Sequence, residues 1–378
     1  MSVPPSHPLE GWERLRMESP PGARTVFNGR EYDYFAGTGY LGLQAHPEVM
    51  QAAVAAIQRY GISTATSRGG YGEHPVYDSL RQSACDFFAA EEMITFPSGY
   101  MGMTVLTQAT GLLYDHIFID SWAHYSLWDA AQATNKPITP FHHRNPQHLA
   151  DLLRHELHPG ERPLVVSDGV FPISGEIAPL PAYLEAITPY GGQVYLDDAH
   201  AVGVLGIHGR GTPDFYGIQD SRCRTSGTLA KALGGYGGII WGEKAWVNEV
   251  ERNSRVCAGS SPPPLPIAAA SASALTLARN PALREQLWKN VAQARQGCRD
   301  LGWAIEDTPV PILCLSGRPE IDLGTVKANL FEQGIAVAHV RSYTSTPPGG
   351  ALRVAIFATH TSEQIDHLLQ ALDRWCIL

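Results

Sequence analysis

A lysine lies between small residues and a glycine-rich run in the stretch Arg224-Thr-Ser-Gly-Thr-Leu-Ala-Lys-Ala-Leu-Gly-Gly-Tyr-Gly-Gly238. The apolar segment Ile239-Ile-Trp241 that follows has the composition of a strand. Because glycine has no side chain, the run lets the backbone approach a bulky ligand closely. The position of Lys231 therefore predicts an amine that forms a Schiff base, which requires the neutral form of the amine. The alternative is a surface lysine beside a flexible loop.

Short apolar strands alternate with segments of helical periodicity before this stretch, and two further strands lie at its ends. Strands are predicted at 93–96, 116–120, 138–141, 164–167, 193–197, 223–226 and 238–241. Strands separated by helices predict parallel βαβ units in a sheet that helices cover on both faces. Ligands of such sheets bind beyond the carboxyl ends of the strands.

The C-terminal part has a different pattern, which begins after the proline-rich segment 260–266. Two long helices are followed by short strands at 310–315, 335–339 and 352–356. We expect an α/β fold with a mostly parallel seven-stranded sheet in a large domain and a smaller α+β domain. The predicted boundaries are an N-terminal arm at 1–45, with a short helix near 10–18, a large domain at 46–278 and a small domain at 279–378.

Composition limits the class of protein. The 378 residues are 44% hydrophobic and 17% charged, which is usual for an enzyme, and the net charge of −9 argues against general nucleic-acid binding. No apolar run reaches the roughly 18–20 residues that span a membrane, and the start lacks the pattern of a signal peptide. The six cysteines form no CxxC pair, and no HExxH-type pair is present. We expect a cytoplasmic protein with reduced thiols and no metal site.

Polar residues follow several of the predicted strands. Asp197 ends an apolar strand, where a carboxylate can keep a pyridine nitrogen protonated, although a turn or cap aspartate is the alternative. His124 can lie on a cofactor ring, but a lone histidine is more often structural. Phosphate binding needs backbone N–H groups at a helix start and hydroxyl groups, which Ser98-Gly-Tyr-Met101 and Thr228 supply. The glycine-rich segment 69–72 is a weaker candidate.

Further motifs occur in a fixed order along the chain. They are Tyr40-Leu-Gly-Leu43, Asp168-Gly-Val-Phe171, Asp197-Asp-Ala-His200, Gly203-Val-Leu-Gly-Ile-His-Gly-Arg-Gly211, the lysine stretch, and Arg353 before Ala358-Thr-His-Thr361. With these motifs the chain resembles the α-oxoamine synthases, which are pyridoxal 5'-phosphate (PLP) enzymes of the aspartate-aminotransferase fold, fold type I. The resemblance runs from about Tyr34 to Trp375.

The resemblance implies a catalytic set. Lys231 would form the Schiff base with PLP and move protons on the substrate α-carbon, and Asp197 would hold the pyridine nitrogen. His124 would stack on the ring, and His200 would contact the ring's phenolic oxygen. The predicted cofactor-binding residues are Ser98, Gly99, Tyr100, Met101, His124, Asp168, Asp197, His200, Thr228, Lys231, Ser260 and Ser261.

The resemblance also implies substrate contacts and a partner. Arg353 would bind the amino-acid carboxylate, and Tyr40 completes the predicted substrate site. Members of the family share their active sites across a homodimer, and Ser260 and Ser261 match positions that reach the phosphate in the partner subunit. A homodimer is therefore expected.

Three departures from the family pattern bear on the substrate. Pro172 stands where the family usually has a serine, which removes a hydroxyl near the ring oxygen. Thr38 and Gly39 stand where relatives have Asn-Asp, and Tyr77 replaces a histidine after the glycine-rich turn. The changes at Pro172, Thr38 and Gly39 lie around the predicted cofactor and acyl pocket.

The resemblance implies a decarboxylative condensation of a small amino acid with an acyl thioester, carried by CoA or a carrier protein, to an α-amino ketone. The spacing of the lysine stretch is that of the 8-amino-7-oxononanoate synthases. The alternatives are an aminotransferase or another amino-acid carbon–carbon lyase or ligase on the same fold, such as a 2-amino-3-ketobutyrate CoA ligase, and a non-catalytic protein that retains the cofactor.

Overall fold

A computed structural model describes residues 15–316 and 321–375 of the chain. Its β-strands are β1 (Arg24–Phe27), β2 (Arg30–Tyr34), β3 (Glu92–Phe96), β4 (His116–Asp120), β5 (Ile138–Phe141), β6 (Pro163–Asp168), β7 (Gln193–Asp197), β8 (Cys223–Thr228), β9 (Gly238–Gly242), β10 (Ile312–Leu315), β11 (Ile335–Ala336), β12 (Ala338–Val340) and β13 (Ala351–Ala355). Its α-helices are α1 (Pro47–Tyr60), α2 (Pro75–Phe88), α3 (Gly102–Ala109), α4 (Tyr125–Gln132), α5 (Pro146–Glu156), α6 (Leu180–Ile187), α7 (Thr212–Tyr216), α8 (Lys244–Asn253), α9 (Arg255–Gly259), α10 (Leu265–Ala278), α11 (Pro281–Asp300), α12 (Leu323–Glu332) and α13 (Ser362–Asp373).

The large sheet has seven strands in the order β3-β9-β8-β7-β6-β4-β5. Only β9 runs antiparallel to its neighbours in this sheet, so the prediction of a mostly parallel seven-stranded sheet is confirmed. The register places Asp168 opposite Asp197, and Asp197 opposite Ser226. These residues lie at the carboxyl ends of β6, β7 and β8, which is the edge where the sequence predicts the ligand.

The central strands are buried on both faces, as is usual for parallel sheets between helix layers. Every residue of β4 and β6 is buried. Successive side chains point to opposite faces, so Phe118 packs with residues of α5 and α6, whereas Ile117 and Ile119 pack with residues of α3, α4 and α8. This rigid sheet fixes the positions of the carboxyl-end side chains.

Two smaller sheets of three strands each lie outside the large sheet. β10, β13 and β12 form an antiparallel sheet, and β1 and β2 form a hairpin whose second strand pairs in parallel with β11. The predicted strand 335–339 is thus two strands in different sheets. The C-terminal part has the predicted mixture of helices and strands. The strand β2, which lies in the predicted N-terminal arm, pairs with β11 of this part. The exact domain boundaries stay a prediction.

Several local predictions need correction. The helix predicted near 10–18 lies in part outside the described residues, and residues 15–18 are not helical, because Met17 bridges Phe27 and the Glu18 N–H donates to Val26. The short helices α7, α8 and α9 and the strand β1 were not predicted. Within the described ranges, every helix is too short or too polar to cross a membrane.

Candidate active site

A cavity of about 210 Å³ lies at the carboxyl ends of β6, β7 and β8. The predicted cofactor residues that line it are Ser98, Gly99, Tyr100, His124, Asp168, Asp197, His200, Thr228 and Lys231. Ser126, Ala199, Ala230, Tyr236 and Gly237 complete the lining. One cavity therefore brings together most residues that the sequence singled out from separate parts of the chain.

Lys231 follows β8 on a tight turn. The Thr228 hydroxyl donates to the Gly237 carbonyl over 2.8 Å, and the Leu229 N–H donates to the same carbonyl over 3.0 Å. Gly234 has a left-handed φ of 64°, and a Cβ there would lie 2.3 Å from the backbone nitrogen of Gln44. Burial lowers the pKa of Lys231 to about 8, against the opposing charges of Asp197 and Asp168. A useful fraction of the amine is therefore neutral close to neutral pH.

Asp197 is a buried carboxylate that faces this cavity. Its Oδ1 accepts a hydrogen bond of 2.9 Å from the Ala199 N–H. Within the described residues, no cationic side chain lies within salt-bridge distance of this carboxylate. A buried charge needs a partner, so Asp197 is suited to a protonated ligand nitrogen. Asp168 is different, because its Oδ2 accepts from the His124 N–H and burial beside Asp197 raises its pKa well above the usual range.

His124 caps the start of α4. Its Nδ1 accepts from the Ser126 N–H over 3.2 Å, and its Nε2 lies 2.8 Å from the Tyr343 hydroxyl. Burial lowers the pKa of His124, with Asp197 acting in the opposite direction and Lys231 adding to the decrease. The imidazole is thus neutral at the cavity wall.

The turn between β3 and α3, where the sequence predicts phosphate binding, lies against β8. Ser98 caps this turn by accepting from the Tyr100 N–H over 3.3 Å. A Cβ on Gly99 would lie 2.8 Å from the Thr228 Cβ, so only glycine allows the turn to approach β8 so closely. The Tyr100 side chain reaches away to Asp129, with its hydroxyl 2.5 Å from Oδ2. Met101 is in this turn but does not line the cavity.

His200, Tyr40 and Arg353 form a buried chain of hydrogen bonds. The Tyr40 hydroxyl lies 2.7 Å from His200 Nδ1 and accepts from an Arg353 Nη over 3.0 Å. Burial lowers the pKa of His200 well below its usual range, and the charge of Lys231 adds to this effect. Arg353 and Tyr40 do not line the cavity but connect to it through His200. Arg353 makes no ion pair with a carboxylate of the described chain.

Two departures from the family pattern have a structural account. The Pro172 carbonyl accepts from Arg353 Nε over 2.7 Å, and the Gly37 carbonyl accepts from an Nη over 3.0 Å. A Cβ on Gly39 would lie 2.4 Å from the Gln44 side-chain nitrogen. The residue at 172 thus holds Arg353 through its backbone, which any residue type provides. Nothing in the structure explains Thr38.

Ser260 and Ser261 lie outside the cofactor cavity. They line a neighbouring cavity of about 260 Å³ together with Pro262 and Pro263. The Tyr77 hydroxyl donates to the Pro263 carbonyl over 2.9 Å, so this tyrosine holds the proline-rich segment in place. Within one subunit, these two serines therefore do not meet Lys231.

Sequence reasoning missed several residues at the site, among them Tyr343, Ala199 and Tyr236. Tyr343 contacts His124 from an irregular segment of the C-terminal part, and no motif marks it. Ala199 and Tyr236 line the cavity within motifs that the sequence did quote, but their residue types gave no chemical signal. Position within a motif was the only available clue for these two.

The chain matches the class I and class II aminotransferase family over residues 36–372. It is 34% identical to a putative 8-amino-7-oxononanoate synthase of Desulforudis audaxviator, covering 93% of this chain and 91% of that protein. It is 31% identical to an 8-amino-7-oxononanoate synthase of Methylococcus capsulatus, covering 96% and 93%. A serine palmitoyltransferase of S. paucimobilis, solved with PLP–myriocin, superimposes with a TM-score of 0.87 at 25% identity, covering 95% of this chain and 91% of that one.

Proposed function

The chain belongs to the class I and II aminotransferase family, and we propose that it is a PLP-dependent acyltransferase of the α-oxoamine synthase type. The reaction joins the α-carbon of a small amino acid to the acyl group of a thioester, with loss of carbon dioxide, and yields an α-amino ketone. Relatives of at least 30% identity over nearly the whole chain carry the name 8-amino-7-oxononanoate synthase, which supports this reaction over amino-group transfer.

The residues at the cavity fit PLP. The Gly99 turn and the Thr228 hydroxyl suit its phosphate, the Lys231 amine suits its aldehyde, and the free side of the Asp197 carboxylate suits its pyridine nitrogen. PLP supplies an electron sink that stabilises negative charge on the substrate α-carbon. The buried Asp197 carboxylate without a cationic partner in the described chain is the observation that carries this assignment.

The other residues of the site then have defined tasks. Lys231, whose lowered pKa of about 8 leaves part of the amine neutral near neutral pH, moves the proton at the α-carbon. His200 accepts from Tyr40 or donates to it at Nδ1, which orients its other nitrogen toward the cavity. Three guanidinium N–H groups of Arg353 donate to protein acceptors, and its remaining N–H groups bind the amino-acid carboxylate.

The acyl-transfer proposal is tested with purified protein loaded with PLP. A panel of small amino acids is combined with acyl-CoA thioesters of several chain lengths, and mass spectrometry follows the ketone while carbon dioxide is trapped. We expect both products only when amino acid and thioester are present together, and Lys231→Ala abolishes them. Transfer of the amino group to a keto acid without any thioester would instead identify an aminotransferase.

A homodimer with shared sites is the second part of the proposal. Met50, Val54 and Ile57 form an exposed apolar stripe on α1, with 49%, 43% and 42% of each residue exposed. Tyr71 is fully exposed, and Tyr236 at the cavity is half exposed. Exposed apolar side chains such as those of the α1 stripe support an association surface. Ser260 and Ser261, which do not reach the cavity of their own subunit, are then available to a partner subunit.

A further inference from the structure

We propose that Tyr343 is a further catalytic residue, whose hydroxyl donates a hydrogen bond to the carbonyl oxygen of the acyl thioester. This inference rests on the acyl-transfer function proposed above. The sequence motifs do not include Tyr343. Its role is inferred from its contact with His124 and from its hydroxyl proton, which that contact leaves free to bind a substrate.

Tyr343 belongs to the irregular segment that links β12 to β13, the strand that carries Arg353. Its hydroxyl lies 2.8 Å from His124 Nε2. Its ring packs edge-on against Tyr125, with centroids 5.1 Å apart, and lies 5.8 Å from the His124 ring. The C-terminal part of the chain thus places a phenol directly on the histidine that lines the cofactor cavity.

The hydrogen bonds of His124 determine which way the Tyr343 proton points. His124 Nδ1 lies 3.2 Å from the Ser126 backbone nitrogen and 2.7 Å from the Ser126 hydroxyl. A backbone N–H can only donate, so Nδ1 is an acceptor, and the hydroxyl, which can donate as well as accept, turns its proton to the same nitrogen. Because burial keeps the imidazole neutral, its single N–H is at Nε2 and donates to the Tyr343 oxygen. The Tyr343 proton is not used in this bond, and no second partner for it occurs in the described part of the chain. Burial raises the pKa of Tyr343, so the phenol keeps this proton.

The Tyr343 segment is anchored beside the site. The Ser345 hydroxyl accepts from the Ile173 N–H over 3.2 Å, next to the carbonyl that binds Arg353. Ser345 has a left-handed φ of 54°, and Gly349 and Gly350 have φ values of 86° and 85°. These turns return the chain into β13 and hold the phenol against His124, while 40% of Tyr343 remains exposed to an incoming substrate.

The chemistry of the reaction decides which substrate oxygen suits this donor. A carboxylate is charged from the start, and the guanidinium of Arg353 suits it better than a neutral phenol does. The thioester oxygen becomes negative only when the α-carbon attacks. The new C–C bond forms as the π electron pair moves to oxygen, and the pair returns as the C–S bond breaks and the thiolate takes a proton from water. A fixed neutral donor stabilises this developing negative charge in the transition state more than it stabilises the uncharged thioester.

The experiment compares Tyr343→Phe with Tyr125→Phe in the PLP-loaded enzyme. The first variant keeps the ring packing and loses the hydroxyl, and the second removes the hydroxyl of the adjacent tyrosine. We expect Tyr343→Phe to lower kcat for condensation roughly 10²-fold, with an unchanged KM for the amino acid. Exchange of the amino-acid α-proton with deuterated water, which needs no thioester, stays at the wild-type rate. Tyr125→Phe stays close to wild type in both assays.

A second readout does not depend on turnover. In protein without PLP, labelled with ¹⁵N-histidine, the Nε2 proton of His124 should give a protected resonance that Tyr343→Phe removes and Tyr125→Phe retains. Wild-type condensation by Tyr343→Phe overturns the proposal, and so does a raised amino-acid KM or slowed α-proton exchange, which would place Tyr343 on the amino acid. If the wild-type enzyme exchanges α-protons but condenses no thioester, the proposed function itself fails, which is a distinguishable result.

Discussion

Two carboxylates lie opposite each other at the end of the large sheet, and their surroundings give them different tasks. Asp168 accepts the His124 N–H, and its raised pKa reflects burial and the adjacent Asp197. Asp197 keeps one oxygen directed toward the cavity, and its next neighbour in sequence, Asp198, bonds the hydroxyl and N–H of Thr212. We therefore propose Asp197, of these three carboxylates, as the one that holds a ligand nitrogen.

Asp197→Asn tests this assignment. A neutral amide cannot hold the charge of a protonated pyridine nitrogen, so we expect the variant to fold, bind PLP and lose most of its condensation activity. Activity and the visible absorption of the bound cofactor are measured together. Asp198→Asn is the control, because it removes charge from the Thr212 contacts and should lower the melting temperature more than it changes the cofactor spectrum. Wild-type turnover by Asp197→Asn would show that another group holds the ring.

The lowered pKa of Lys231 gives a pH prediction. Its usual value is 10.5 and its value here is about 8, so below pH 8 the amine is mostly protonated and above it mostly neutral. Only the neutral amine reacts with an aldehyde. The rate at which protein without cofactor recombines with PLP should therefore rise with pH and level off above about pH 8. Stopped-flow absorbance on both sides of pH 8 measures it. A rise that continues toward pH 10.5 would show that the amine is not perturbed.

Arg353→Lys tests the carboxylate role. A lysine cannot reproduce the planar arrangement that contacts Pro172, Gly37 and Tyr40 at once. We expect the amino-acid KM to rise roughly 10- to 100-fold, the range for a hydrogen bond to a charged group, with little change in the thioester KM. Arg341→Lys, on the exposed part of the preceding segment, is the control. An unchanged amino-acid KM would mean that Arg353 serves only the protein scaffold.

At the scale of residues, the sequence predicted those site members whose type carries chemistry at a strand end. Lys231, Asp197 and His124 belong to this group, and the structure places all three at one cavity. Tyr343 was not predictable, because its contact with His124 joins distant parts of the chain and depends on the path of an irregular segment. The sequence predicted Arg353 as a site residue from its motif. It did not predict that Arg353 lies behind the cavity wall, because this position depends on tertiary packing against Tyr40.

Among the elements, the turn from β3 into α3 depends on its packing against β8. Gly99→Ala would place a methyl group 2.8 Å from the Thr228 Cβ, so the turn must move away from the Thr228 hydroxyl. We expect a dissociation constant for PLP that rises by roughly tenfold or more, the effect of about 1.4 kcal/mol. Equilibrium dialysis measures it. Gly111→Ala is the control, because its added Cβ meets Thr107 at an ordinary 3.5 Å. Equal affinities in the two variants would show that the turn does not bind the phosphate.

Elements with a sustained period were predicted almost to their ends. The predicted strands 116–120 and 193–197 agree with β4 and β7 in both bounds, because each is a short apolar run between polar or glycine-containing segments. The short helix α7 lacks enough residues to show a period. The split of 335–339 into β11 and β12 arises because the two halves pair with different sheets, which is a tertiary effect.

The proposed homodimer concerns the whole molecule. Val54→Asp places a charge in the middle of the apolar stripe on α1, and burying that charge at an interface without a partner is costly. Sedimentation velocity should show a dimer for the wild type and a shift toward monomer, with lower activity, for this variant. Ala55→Asp, exposed on the same helix outside the stripe, should remain dimeric. A fully active wild-type monomer would refute the shared sites.

The pairing of β2 with β11 has a consequence for biosynthesis. Asp33 and Tyr34 lie opposite Ile335 and Ala336, and the Phe35 carbonyl accepts from the Ala355 N–H over 2.7 Å. A ribosome makes β2 long before β11, so the segment leading to Tyr40 waits undocked until β11 emerges. All strands of the large sheet precede β11, but the contact between Tyr40 and Arg353 forms only after β13 has been made. A product that stops short of β13 thus retains the lysine turn and lacks a complete substrate pocket.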